Sequence, residues 1–160
     1  MPAALLNNQM VVATASWAYF HRTLLATARG LLPDGHLGPA LALTLAHTAA
    51  EVFAERTCAA WVTARGIVAQ PVPGIPSNNL ATPRVRKRYT ALTGDPIGEQ
   101  QSFWQAFVVS RDLRDAFVHG GAAVTREQAE AGCTAVDRLL DHLEQIHEQA
   151  VQQVAARPSA

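Results

Sequence analysis

The sequence predicts an all-α fold: an antiparallel helix bundle of four long helices plus a short basic helix. Three observations carry that expectation. Apolar residues recur at intervals of three and four rather than two. Glycines and prolines mark the expected helix ends and connections, as at Gly30, Pro33, Gly66, Gly94, Pro96, Gly120 and Gly121. The connections are short except for one, and short connections favour antiparallel neighbours. A chain of 160 residues is the size of one domain, here with a core over about 8–155, and such a domain buries roughly 70% of the surface its unfolded chain exposes.

In the first helix Val11, Ala15, Ala18, Leu24, Leu25 and Ala28 share a broad face, and Gly30 after Arg29 reads as its stop. Pro33, Asp34 and Gly35 make a turn. The second helix is expected from about Gly38 to Arg65, with Leu41, Leu45, Thr48, Val52, Ala59 and Val62 stacked along it and Gly66 ending it. From Gly66 to Pro83 the chain carries four prolines and two glycines, which predicts a flexible loop over 66–83. Arg84 to Leu92 reads as the short basic helix, stopped by Gly94, Asp95 and Pro96.

The next long helix is expected from about Gly98 to His119, carrying Phe103, Trp104, Phe107, Val108, Leu113 and Phe117. Gly120 and Gly121 end it, because glycine reaches the left-handed conformation that helix C-caps use. Thr125 and Gln128 have capping-box spacing for the last helix. There Cys133, Val136, Leu140, Leu143, Ile146, Ala150 and Val154 form one stripe, and residues 156–160 are expected to fray.

Composition excludes some classes. With 49% hydrophobic and 16% charged residues, the chain lacks the signature of disorder. A formal net charge of zero gives no global field toward nucleic acid or anionic membrane. Any polyanion contact would therefore be local, and the cluster Arg84, Arg86, Lys87 and Arg88 is the candidate, its alternative being a solvated helix face. Cys58 and Cys133 lie far apart with no zinc spacing, which fits two reduced, core-packed thiols. The N-terminus lacks the basic start and apolar run of a signal peptide. Leu37 to Ala50 is too short to span a bilayer, so no membrane partner is expected and the cytoplasm is the expected location.

The chemistry concentrates in RDLRDAFVHGG, residues 111–121. At about 100° per residue, Arg111, Arg114, Asp115 and His119 fit within about 140° of arc, one polar strip on an otherwise apolar helix. Part of it is local stabilisation, since cations near a helix C-terminus oppose the macrodipole and Asp115 is four residues from both Arg111 and His119. A histidine that titrates near neutral pH, beside a permanently charged guanidinium, is also a pair suited to phosphodiester chemistry.

Arg114-Asp115-Ala116-Phe117-Val118-His119 resembles the signature of HEPN domains (higher eukaryotes and prokaryotes nucleotide-binding). That signature is an arginine, a polar residue, three or more further residues and a histidine, commonly followed by glycine, as Gly120 follows here. The order of elements is similar over about residues 40–145: a long second helix with a glutamate, Glu51, then a variable connection, a basic helix, and the motif at the end of a late helix. A second arginine-to-histidine spacing, Arg29 to His36, crosses Pro33 and Gly35 and lacks the polar residue.

The resemblance implies a HEPN-like domain that works as a homodimer and, in many members, a metal-independent endoribonuclease with no cofactor. His119 would act as base on a ribose 2′-OH or acid on the leaving 5′-oxygen, a role worth roughly 10² to 10⁴ in rate. Arg114 would bind the scissile phosphate and stabilise its transition-state charge. Asp115 would orient His119 or hold the cleft, and Arg111 would add a phosphate contact. The products would be a 2′,3′-cyclic phosphate and a 5′-hydroxyl. A toxin neutralised by a protein partner, or a component of phage defence or stress response, is the implied setting. The alternative is a non-catalytic helical module that binds a nucleotide or a protein partner. The nuclease reading expects Arg114 and His119 to line an open cleft shared across a two-fold axis.

Other candidates carry less. His142 and His147 are five apart, unlike i, i+4 metal pairs. His21, His36 and His47 lack carboxylates or thiols at ligand spacing. Glu51, on an apolar helix, is expected to pair with an arginine of the third long helix. Trp17, Trp61 and Trp104 fall at apolar positions, as core or interface residues would. Ser110 has no triad context, and no glycine-rich phosphate loop occurs.

Overall fold

The computed structural model describes residues 19–67 and 79–156. They form five helices and no strand: α1 (Phe20–Leu31), α2 (Gly38–Arg65), α3 (Pro83–Thr93), α4 (Trp104–Gly120) and α5 (Arg126–Ala155). Val11, Ala15, Trp17 and Ala18, the middle of the proline loop and the last four residues of the tail lie outside the described residues.

The long helices alternate in direction. Near the start of α2, Leu43 lies against Gly132, and toward its end Trp61 Nε1 donates to Ile146 O at 3.1 Å, so α2 and α5 run the same way. α1 runs against α5, with Arg22 paired to Glu144 and Arg29 to Asp137. α4 runs against α2: Ala40 and Leu43 cluster with Leu113 and Phe117, while His47 meets Ser110. α3 covers the second half of α2, where Leu92 joins Trp61, Ala64 and Ala150. Among the described residues no helix is long and apolar enough to cross a membrane.

Local chemistry explains most boundaries. Thr125 and Gln128 bond reciprocally as a capping box, Gln128 N donating to Thr125 Oγ1 at 3.2 Å and Thr125 N to Gln128 Oε1 at 2.9 Å. Two of the orphan donors at the start of α5 are thereby satisfied. Gly121, at φ 68°, closes α4, its N–H bonding Phe117 O at 2.8 Å.

Two boundaries differ from the sequence expectation. α1 passes through Gly30 and ends at Leu31; the breaker is Pro33, which has no N–H to donate. The third long helix begins at Trp104 rather than Gly98. Over 98–103 the chain makes tight turns, with Gln101 N bonding Gly98 O and Trp104 N bonding Gln101 O, both at 3.0 Å. Gln101 Oε1 accepts from Gly98 N at 2.6 Å, offering the backbone a non-helical partner. Ile97 and Phe103 are buried in that turn.

The face of α2 also differs. Leu41 is 46% exposed and Ala59 is exposed, while the buried face is Leu43, Ala46, His47, Ala50, Phe53, Ala54, Thr57, Trp61 and Ala64. α2 is the central helix, packed on α1, α3, α4 and α5, and small residues let those neighbours approach. Gly132 shows how closely: a Cβ there would stand 2.9 Å from Ser110 Cβ and closer still to Leu43 Cδ1. In the 66–83 loop, Asn79, Leu80 and Ala81 are buried, so its end belongs to the core.

Candidate functional site

α4 carries the strip, and its burial explains where each side chain goes. Trp104, Phe107 and Ser110 are buried, and Arg114 follows on that inward side. His119 lies about 140° further round the helix and is exposed. Within one chain the two side chains therefore diverge.

Arg114 Nη1 donates to Glu51 Oε1 at 3.2 Å, the pairing with an arginine of this helix that was expected for Glu51. The same oxygen accepts from Asn79 Nδ2 at 3.0 Å, and Asn79 Oδ1 accepts from Ala81 N at 3.0 Å. The turn after the proline loop thus fixes Glu51, and Glu51 fixes Arg114. Arg114 Nε lies 2.9 Å from Asp115 Oδ1, and Arg111 Nε lies 2.9 Å from Asp112 Oδ1 and 3.9 Å from Asp115 Oδ2. The angles do not suit hydrogen bonds: both Nε atoms are buried without a bonded partner. These contacts are electrostatic. Two guanidinium groups against Glu51, Asp112 and Asp115 leave the strip with no positive excess.

Asp115 faces the arginines and makes no bond to His119. His119, in the last turn of α4, makes no hydrogen bond or ion pair among the described residues. Exposed Val118 is beside it.

On α3, Arg84, Lys87 and Arg88 are exposed, and Arg86 is half-buried with its guanidinium 5.0 Å from the Trp104 ring centroid. A groove of about 530 Å³ lined by Arg86, Lys87, Thr90 and Ile97 lies beside them. Trp104 begins α4 and His119 nearly ends it, about 22 Å apart along the axis at about 1.5 Å per residue. Arg86 of the basic cluster and the motif histidine thus stand at opposite ends of α4.

The pairing of His47 with Ser110 is one that sequence reasoning missed. Ser110 Oγ donates to Phe107 O at 2.8 Å, so it accepts from His47 Nε2–H at 2.9 Å. His47 Nδ1 is buried with no partner. Burial, reinforced by the charges of Arg114 and Arg111, pushes the His47 pKa down to about 3. With His47 fully buried and Ser110 2% exposed, the pair is a core contact that no substrate reaches. No sequence signal joins two residues 63 apart.

The other histidines have structural partners or none. His142 bonds Asp95 at 2.7 Å, and Tyr89 donates to the same carboxylate at 2.8 Å. His36 is exposed. Among the described residues no group of three His, Cys, Asp or Glu side chains is arranged to hold a metal ion. Trp61 and Trp104 are buried core residues. Cys58 and Cys133 are free, and burial raises both thiol pKa values.

The fold and site define a helical-bundle protein with a polar strip at the end of α4. Searches of family models, curated proteins and solved structures return no match to this chain.

Proposed function

We propose that the chain is a metal-independent endoribonuclease of the HEPN type that acts as a homodimer, with Arg114 and His119 as its working pair. One observation carries the reading. Arg114 is preset by a carboxylate from another helix at 3.2 Å, while His119 stands exposed five residues on, with no hydrogen bond or ion pair among the described residues, placed to reach a ribose hydroxyl. Because the two diverge within one chain, a shared cleft would take them from both protomers. Exposed Val109 and Val118 on α4 and Leu41 on α2 are apolar surface of the kind such an interface uses. Arg111 would sit beside the phosphate, Asp115 would hold the arginines rather than the histidine, and Arg84, Arg86, Lys87 and Arg88 would guide the RNA strand. The setting is a toxin held by a protein partner, or a defence component, in the cytoplasm.

A second reading, a non-catalytic helical module that binds a nucleotide or a protein partner, is favoured by the charge balance of the strip. Its arginines are already matched by Glu51, Asp112 and Asp115.

The test is cleavage of labelled RNA in EDTA by wild type, His119→Ala and Arg114→Ala. The nuclease reading expects EDTA-resistant cleavage leaving a cyclic phosphate, reduced at least about a hundredfold by His119→Ala. Cleavage abolished by EDTA, or undiminished in His119→Ala, overturns it.

A further inference from the structure

The turn that leads into α3 reaches deeper than a surface connection does. Asn79, Leu80 and Ala81 are 3%, 2% and 6% exposed. Leu80 is seated among Ala50, Phe107 and Leu139, so α2, α4 and α5 all hold it. Thr82 N donates to Asn79 O at 3.0 Å, closing the turn directly before Pro83 opens α3. A turn anchored in this way has little room to drift against the three helices.

The Asn79 amide has a defined sense. Its Oδ1 accepts from Ala81 N at 3.0 Å, an Asx turn that commits the oxygen to the backbone. The NH2 end therefore faces the other way, and Nδ2 donates to Glu51 Oε1 at 3.0 Å. That same oxygen accepts from Arg114 Nη1 at 3.2 Å, the one side-chain hydrogen bond that Arg114 makes among the described residues.

Charge-assisted bonds of this kind commonly close to about 2.7–2.9 Å, so the guanidinium is held loosely by its carboxylate. A glutamate side chain turns about several bonds, and with Arg114 alone Glu51 would follow the guanidinium. Asn79 ties the shared oxygen to a fixed turn instead. The carboxylate then decides where the guanidinium lies, rather than the reverse.

We propose that Asn79 is a positioning residue for Arg114: by fixing the Glu51 oxygen, it sets where the guanidinium meets the scissile phosphate. The catalytic consequence rests on the nuclease reading, whereas the relay from Asn79 through Glu51 to Arg114 rests on geometry alone.

The test is Asn79→Asp, which keeps the shape and the bond from Ala81 but replaces the NH2 donor with a second carboxylate oxygen against Glu51. Two carboxyl groups in contact share a proton and hold it above the ordinary carboxylate range, and the protonated form restores a donor between them. One readout is the Nε–H signal of Arg114, assigned by its loss in Arg114→Lys. The other is RNA cleavage in EDTA, as the ratio of variant to wild type at each pH. At about pH 8 the Arg114 signal should move and kcat should fall at least about tenfold with KM changed less, since a misplacement of about 1 Å costs on the order of a hundredfold. Both should return toward wild type as the pH falls to about 5. A generally weakened fold has no reason to recover in acid.

An Arg114 signal that superposes on wild type at every pH overturns the proposal, as does a cleavage ratio that does not recover. Should Asn79→Asp not fold, Asn79→Ala takes its place: the Arg114 signal should move, and the loss of kcat should be non-additive with that of Glu51→Ala. Additive losses, or an unmoved signal, overturn the proposal. If the wild type does not cleave RNA, the nuclease reading fails by itself, and the Arg114 signal still decides the relay.

Discussion

Glu51 and Arg114 are joined across α2 and α4 at 3.2 Å, with side chains only 26% and 17% exposed. Breaking such a pair leaves a half-buried charge without its partner, which costs more than the net gain from making the bond. Glu51→Ala should lower stability by about 1 to 3 kcal/mol. Urea unfolding checks this as a lower midpoint with an unchanged slope. A double-mutant cycle with Arg114→Ala should recover a coupling of about 1 kcal/mol; additivity within error would show the pair to be incidental.

His119 is exposed and makes no hydrogen bond or ion pair among the described residues, so His119→Ala should leave the thermal midpoint within the scatter of surface substitutions, about 0.5 kcal/mol either way. The loss of any cleavage activity in that variant then reports chemistry rather than unfolding. A large drop in melting temperature would mean that the histidine caps α4 and contributes structurally.

His47 sets a pH dependence with a definite sign. Its pKa falls from 6.5 in the unfolded chain to about 3 in the fold, so between those values the unfolded state binds more protons. Its contribution is fully present above pH 6.5 and is lost as the pH falls toward 3, with a slope approaching about 1.4 kcal/mol per unit. Lowered pKa values at His21 and His147 act in the same direction. Chemical denaturation across pH 4 to 8 checks the slope, and His47→Leu should flatten part of it.

Gly132→Ala sets two effects against each other. Alanine gains about 1 kcal/mol in helix propensity, but its Cβ would stand 2.9 Å from Ser110 Cβ and crowd Leu43. Overpacking of this kind typically costs about 1 to 3 kcal/mol. The substitution should therefore destabilise, seen as a lower melting temperature; a gain would mean that α4 and α5 part without strain.

What was legible in the sequence is what local chemistry decides. The Thr125–Gln128 capping box, the glycine stops at Gly66 and Gly121 and the aromatic face of α4 all depend on residues a few positions apart. Glu51 could be paired with an arginine in advance because a carboxylate on an apolar helix needs one. On α2 the expected and buried faces differ because leucine and valine draw the apolar pattern, while much of the buried face is alanine, whose methyl group carries little signal. Gly98 resembles a helix start because no local signal shows that Gln101 bonds back to it. Contacts such as His47–Ser110 and His21–Glu144 depend on packing between distant segments, so no spacing rule reaches them.

The alanine seam of α2 also works as a spacer. Ala42, Ala46, Ala49, Ala50 and Ala54 are at most 3% exposed, and alanine gives up no rotamer freedom when it is buried. Between the larger Leu43, His47, Phe53 and Trp61, these methyl groups are thin enough to let the neighbouring helices close in on α2. Thickening the seam at one position would act as a wedge and push a packed neighbour off α2. The same small side chains lie beside Glu51 on α2, so the helix that holds Arg114's partner is set by its thinnest residues.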